Sequence, residues 1–343
     1  MSNCSSCEKR GWTVEDVLLR VAGSAVVLLV ALDALTTTVT VSGGAGPLTR
    51  RVAELLWRGF LRLHRSGVPS LLQRAGPVLL VTTVLVWVLL LWLGWTLVML
   101  TAGVVDATTR EPAGVADVVY YTGFTIFTLG VGDFVATTSA TRVLTAAASF
   151  TGLFVITLAI TYLISVVSAV VARRALAVQI GTLGSHPAAM VTGGWDGQEF
   201  SSAFVQRLVN VTKDLATGAE QHLAYPVLHY YHSRTRATAA PLALAHLDEM
   251  LFLLQEIVDE GARPEAAAVA PTRRAVDRYL EAVMATSSMP VQVDGPPPLP
   301  DVSVIRSAGI PVVDEAHLRM AAVAAADRRR SLATMVASDG WTW

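Results

Sequence analysis

The stretch Tyr120 to Phe134 reads Tyr-Tyr-Thr-Gly-Phe-Thr-Ile-Phe-Thr-Leu-Gly-Val-Gly-Asp-Phe, and its Gly-x-Gly points to a specific chemistry. A cation stripped of its water needs a ring of oxygens in exchange, and backbone carbonyls serve if successive ones face one axis. A run of L-residues cannot turn its carbonyls that way cheaply. Gly130 and Gly132 can, because without a Cβ they adopt positive φ. No charged side chain lies between Val118 and Gly132, so carbonyls rather than carboxylates are left as ligands. A glycine-rich external turn is the plainer alternative.

The same residues resemble the signature T-x-x-T-x-G-[YFL]-G-D of the potassium-channel pore family: Thr125, Thr128, Gly130, Gly132 and Asp133 fall on it, within a resemblance covering about residues 76–172. The resemblance implies a two-transmembrane pore domain with a re-entrant selectivity filter, assembled as a homotetramer with K⁺ as the permeating ion. Carbonyls of Thr128, Leu129, Gly130 and Val131, with Gly132 and the Thr128 hydroxyl, would form the coordination ladder. Tyr120 and Tyr121 take the family's aromatic cuff positions and, with Thr125 and Asp133, would support the filter. A helix over 115–127 would aim its negative C-terminal end at the ions. Gly152, 24 residues after Thr128, sits where the family places a gating glycine, or else permits close helix packing. Val131 departs from the pattern, which usually has an aromatic there, and this weakens the expectation of strict K⁺ over Na⁺ selectivity.

Other residues carry less specific chemistry. Leu153, Ile156, Ile160 and Ile164 share a helical face that would line an apolar gate or a packing core. Asp33, followed by Thr36, Thr37 and Thr38, lies within an apolar run, where an acid serves as an interhelical partner or sensor, or is solvated near the interface. His222, His229 and His232 form the one cluster of metal-capable or proton-sensing side chains, with His246 further on; His222 and His229 would share a helical face, although Pro226 intervenes and nearby tyrosines suggest packing hydrogen bonds. Cys4 and Cys7 make an isolated C-x-x-C without the partners of a zinc site. No nucleotide-binding glycine motif appears, and no nucleophile–base pairing suggests an enzyme.

The elements that must position these residues follow from charge. Of 343 residues 53% are hydrophobic and 15% charged, against about 25% charged in soluble chains, and mean hydropathy is +0.52. A net charge of −1 argues against nucleic-acid binding. Uncharged or nearly uncharged runs predict three transmembrane helices, roughly 18–41, 77–101 and 143–171, each long enough for a bilayer that needs about 20 residues. The run 118–132 is too short to span and reads as re-entrant. Arg50, Arg51, Arg58, Arg62, Arg65 and Arg74 put the first connection inside, so the N-terminus is extracellular, the filter faces out and the C-terminal region is cytoplasmic. Val52, Leu55, Leu56, Phe60 and Leu63 predict a basic amphipathic helix in the inner interface.

After Arg174 the pattern is helical: one helix marked by Phe200, Phe204, Leu208, Val211 and Leu215; a second by Leu244, Leu247, Leu251, Leu254 and Val258; a third opened by Pro271; a linker at 294–301; and one last helix over about 314–336 carrying Arg328, Arg329 and Arg330. The expected fold class is therefore an all-α membrane protein: three transmembrane helices with a re-entrant pore helix and filter, plus a helical cytoplasmic domain. The expected divisions are 1–46, 47–75, 76–172, 173–293 and 294–343. The expected function is a bacterial-type cation channel of the plasma membrane, most simply for potassium, with no organic cofactor and a regulatory ligand that cannot be read. A weakly selective channel and a non-conducting sensor or scaffold are the alternatives.

Overall fold

In hydrocarbon a backbone amide has no water to turn to, so a long apolar run satisfies itself as a helix. Among the described residues the structure, a computed structural model, has three helices long and apolar enough to cross a membrane: α1 (Val14–Val39), α3 (Leu72–Leu100) and α5 (Ser139–Gly181). Residues 13–40, 45–65, 72–286 and 293–343 are described; Cys4 and Cys7 lie outside them. Two units are distinguished. The first takes α1, the start of α2 (Pro47–Arg65), Leu80–Leu100 of α3, and the chain on to Ile164; the second takes residues 56–79 and 165–343.

In the first unit α1 begins at a capping box, with the Thr13 hydroxyl accepting from Asp16 N and the Asp16 carboxylate accepting from Thr13 N. After α3, strand β1 (Val104–Asp106) pairs antiparallel with β2 (Phe134–Ala136), Val105 opposite Val135. These strands bracket α4 (Val115–Ile126) and the Gly-x-Gly segment. Helix α5 is longer than the uncharged run that announces it. Its 43 residues rise about 64 Å, roughly twice a bilayer's hydrocarbon core.

The second unit is a helical bundle. Helix α6 (Pro187–Thr192), α7 (Ser202–Ala224), a 3₁₀ turn at Pro226–Tyr230, α8 (Ala240–Phe252), α9 (Ala266–Thr286), α10 (Ser303–Ser307), α11 (Glu315–Ala324) and α12 (Ala326–Ser338) follow in order. The two apolar stripes read from sequence are buried in its core, Phe204 to Leu215 on α7 and Leu244 to Leu254 on and just beyond α8.

Three boundaries differ from expectation. The second stripe does not stay α-helical to Val258: a π turn occupies Leu253–Ile257, with Val258 N donating to Leu253 O. Pro271 does not open α9, which starts at Ala266, because the alanine-rich residues ahead of it are strong helix formers and the proline forfeits a single bond. The last helix is two, broken at Ala325. The break accompanies ion pairs that no local signal announces: Arg328 lies 2.5 Å from Asp248 and Arg329 2.8 Å from Glu249, the latter pair 3% exposed on each side.

Candidate functional site

The Gly-x-Gly segment hangs between two fixed ends. Asp117, in the first turn of α4, accepts from Gly114 N at 2.9 Å and complements the positive end of the helix. At the other end Phe127 N donates to Gly123 O, Thr128 N to Thr125 O and Leu129 N to Phe124 O, so α4 winds up tightly before the chain extends. Beyond it φ is +57° at Thr128, +59° at Gly130 and +90° at Gly132, with ordinary values between. Alternation of this kind is what lets successive carbonyls turn toward one side. A β-branched residue at positive φ is strained, and at Thr128 two backbone bonds of the α4 end hold it. Residues 127–133 are exposed in the single chain, and no atom outside the immediate chain neighbours lies within 4 Å of a Cβ built on Gly130 or Gly132.

Aromatic side chains brace this segment. Tyr120 OH donates to Asp133 Oδ2 at 3.2 Å, tying α4 to the residue after the second glycine. Tyr121 OH shares a hydrogen bond with Thr145 on α5, and both tyrosines pack edge-on against Phe124. Thr125 is buried. Val131 is half exposed and makes no such brace. From α3, Trp92 Nε1 donates to Val119 O and Trp95 Nε1 to Thr151 on α5. The tryptophans of α3 were not singled out by sequence reasoning, since an uncharged span offers no sign that an indole N–H needs a partner.

On α5, Gly152 is where the helix meets the end of α4: a Cβ there would fall closer than 3.0 Å to the Ile126 carbonyl oxygen and Cα. The close helix packing that a glycine permits is therefore present here, and α5 runs through it unbroken. Leu153, Ile160 and Ile164 are exposed and Ile156 half-buried.

Asp33 is not solvated. It is fully buried, and its carboxylate accepts from Leu48 N (2.7 Å), Thr49 N (3.2 Å), the Thr49 hydroxyl (2.6 Å) and Trp87 Nε1 (2.8 Å). It thus caps the N-terminus of α2 and joins α1 to α3. On α2, Trp57 is buried, Val52, Leu56 and Phe60 are half-buried and Leu55 is exposed.

The histidines meet in the second unit by a route other than a shared helical face, because α7 ends at Ala224 and Pro226 opens a separate turn. His222, His229 and His232 nevertheless line one cavity together with Arg173, Tyr279, Ser338 and Asp339. The expectation of packing hydrogen bonds fails at His222, whose two ring nitrogens have no partner. Among the described residues no three His, Cys, Asp or Glu side chains converge as a metal site would need. His246 lies elsewhere; burial, then Arg236 and His186, lower its pKa to about 4.

Comparison with known proteins matches residues 85–169 to an ion-channel family, which spans α4, the Gly-x-Gly segment and the portions of α3 and α5 that hold them. No solved structure matches. A membrane protein of Bacillus subtilis (strain 168), YdjJ, itself uncharacterized, is 31% identical over 335 residues, covering 97% of this chain and 95% of its own length. The chain belongs to the family of that membrane protein, and its residues 85–169 match an ion-channel family.

Proposed function

We propose that four copies of this chain surround one axis and conduct potassium ions across the plasma membrane through the carbonyls of Thr128, Leu129, Gly130, Val131 and Gly132. One chain supplies one strand of oxygens and a dehydrated cation needs several around it, which makes the homotetramer the simplest assembly. The observation that carries this reading is the alternation of positive φ at Thr128, Gly130 and Gly132 at the end of a short helix that carries no charge beyond Asp117. Tyr120 and Asp133 brace the outer end, and the exposed stripe Leu153, Ile160 and Ile164 with Ile156 faces the lower pore, where an apolar constriction gates by dewetting. The arginine-rich connection lies inside, the C-terminal region from Arg173 is cytoplasmic and the N-terminus is extracellular. Val131, short and unbraced, makes K⁺ over Na⁺ discrimination weaker than an aromatic would.

Purified chain in liposomes tests this. Tl⁺ or K⁺ flux that Gly130→Asp abolishes is the expected result. Absence of flux at every pH, voltage and calcium level refutes conduction and leaves a membrane sensor. Reversal potentials in mixed K⁺ and Na⁺ test selectivity separately, and a permeability ratio near unity refutes it.

A further inference from the structure

The second unit encloses a cavity of about 30 Å³, room for one or two waters, whose lining is polar and incompletely bonded. Both nitrogens of His222, Nε2 of His232, Ser338 Oγ and Asp339 Oδ2 are buried without a protein partner. Burying such groups unpaired is costly, so five at one cavity mark it as a polar site able to take a proton or water rather than an apolar packing seam. The turn that forms one wall is held from several sides. Arg173 on α5 donates to Leu228 O at 2.8 Å and Tyr231 O at 3.1 Å. Trp57 on α2 stacks on His232 at 5.8 Å and meets Tyr230 at 5.0 Å, and Gly76 on α3 lies against the Tyr231 ring. Asp339, at the end of α12, reaches His232 Nδ1 at 2.9 Å and Arg173 at 4.0 Å. One turn thus clasps residues of α2, α3 and α5.

We propose that this cavity is a proton-binding regulatory site: protons taken up by His222 and His229 release the clasp on residues 226–232 and so change conduction. The groups facing these imidazoles are Arg173 from α5, His232 beyond the turn, Tyr279 from α9 and Asp339 from α12. Arg173 and Asp339 balance one another while the histidines are neutral. Each added proton leaves a positive charge beside Arg173 that a single carboxylate cannot offset, in a space that holds at most one or two waters.

Burial first, then Arg173, lowers the pKa of His222 to about 3; burial, then Arg173 and His232, lowers that of His229 to about 4. The opened form, with imidazoles near their ordinary 6.5, binds protons more readily than the closed form. The clasp is therefore intact at neutral pH and weakens as the pH falls below 6.5 toward about 4.

The regulatory consequence rests on the channel reading; the site does not. Hydrogen exchange of the full chain in lipid nanodiscs, corrected for the intrinsic pH dependence of exchange, reads the clasp directly. Between pH 7.5 and 5.0 protection in residues 222–232 is expected to fall by up to about a thousandfold in the parent chain and about thirtyfold in His229→Gln, one titrating imidazole fewer, and to stay constant in His222→Gln/His229→Gln. Unchanged protection in the parent, or an equal fall in parent and His229→Gln, overturns the proposal, the latter without needing the double variant to fold. Tl⁺ flux from liposomes separates the two readings. No flux at any pH sinks the channel and leaves the proton site standing on exchange, whereas equal flux at pH 7.5 and 5.0 alongside altered exchange overturns the regulatory role.

Discussion

Replacing Asp33 tests whether the buried acid ties three helices together. Its carboxylate is met only by donors: two backbone N–H groups at the start of α2, the Thr49 hydroxyl and the Trp87 indole. Hydrogen bonds to a charged group contribute roughly 1.5–3 kcal/mol each. In Asp33→Asn one oxygen becomes an NH₂ that faces these donors; the Thr49 hydroxyl can rotate to accept from it, but the Trp87 N–H cannot. The expected loss is about 2–4 kcal/mol, one lost bond plus the weakening of the rest by removal of the charge. Asp33→Ala leaves Leu48 N, Thr49 N and Trp87 Nε1 orphaned together, at least about 3 kcal/mol at roughly 1–3 kcal/mol each. Thermal unfolding of the purified chain in mild detergent reads this as a fall of roughly 3–6 °C for Asp33→Asn. The Asp33→Asn, Trp87→Phe cycle should give a coupling of about 1 kcal/mol or more. Asp33→Ala melting within about 1 °C of the parent, or a coupling of zero, would refute the argument that the acid is a structural tie.

The other two stability predictions use the same melts. Gly152→Ala places a methyl against the Ile126 carbonyl and Cα, an overpacking cost of about 1–3 kcal/mol. It should lower both the melting temperature and Tl⁺ flux, while Gly181→Ala on the same helix, with nothing within 4 Å of its Cβ, stays silent. If Gly152→Ala melts and conducts like the parent, the packing account fails. At Glu249 and Arg329, 2.8 Å apart and both buried, Glu249→Ala should cost about 3–5 kcal/mol by stranding the guanidinium, and Glu249→Leu with Arg329→Met should recover most of it. A double variant no better than the single would show that the Arg329 bonds to the Pro297 and Pro298 carbonyls, not the ion pair, dominate.

Which residues can be read from sequence depends on where their physical constraint originates. The spans are legible because hydrocarbon imposes its demand on each run alone, and the Gly-x-Gly is legible because positive φ narrows the choice of residue at Gly130 and Gly132. Thr128 is not. Its positive φ runs against its own preference and is imposed by the winding end of α4, through Thr128 N to Thr125 O and Leu129 N to Phe124 O. The same distinction separates the histidines from what surrounds them. Their spacing marks a cluster, but the cavity they line is made by Arg173 and Asp339, which lie far away in the chain and carry no local sign of a partner. Read along the sequence, Arg173 is the charge that ends a span. Its bonds to Leu228 O and Tyr231 O give it a second role: the helix bearing Ile160 and Ile164 continues into the guanidinium that holds the histidine turn. Loosening that turn therefore acts on a residue of the same continuous helix, so a charge change at His222 or His229 needs no intermediary element to reach α5.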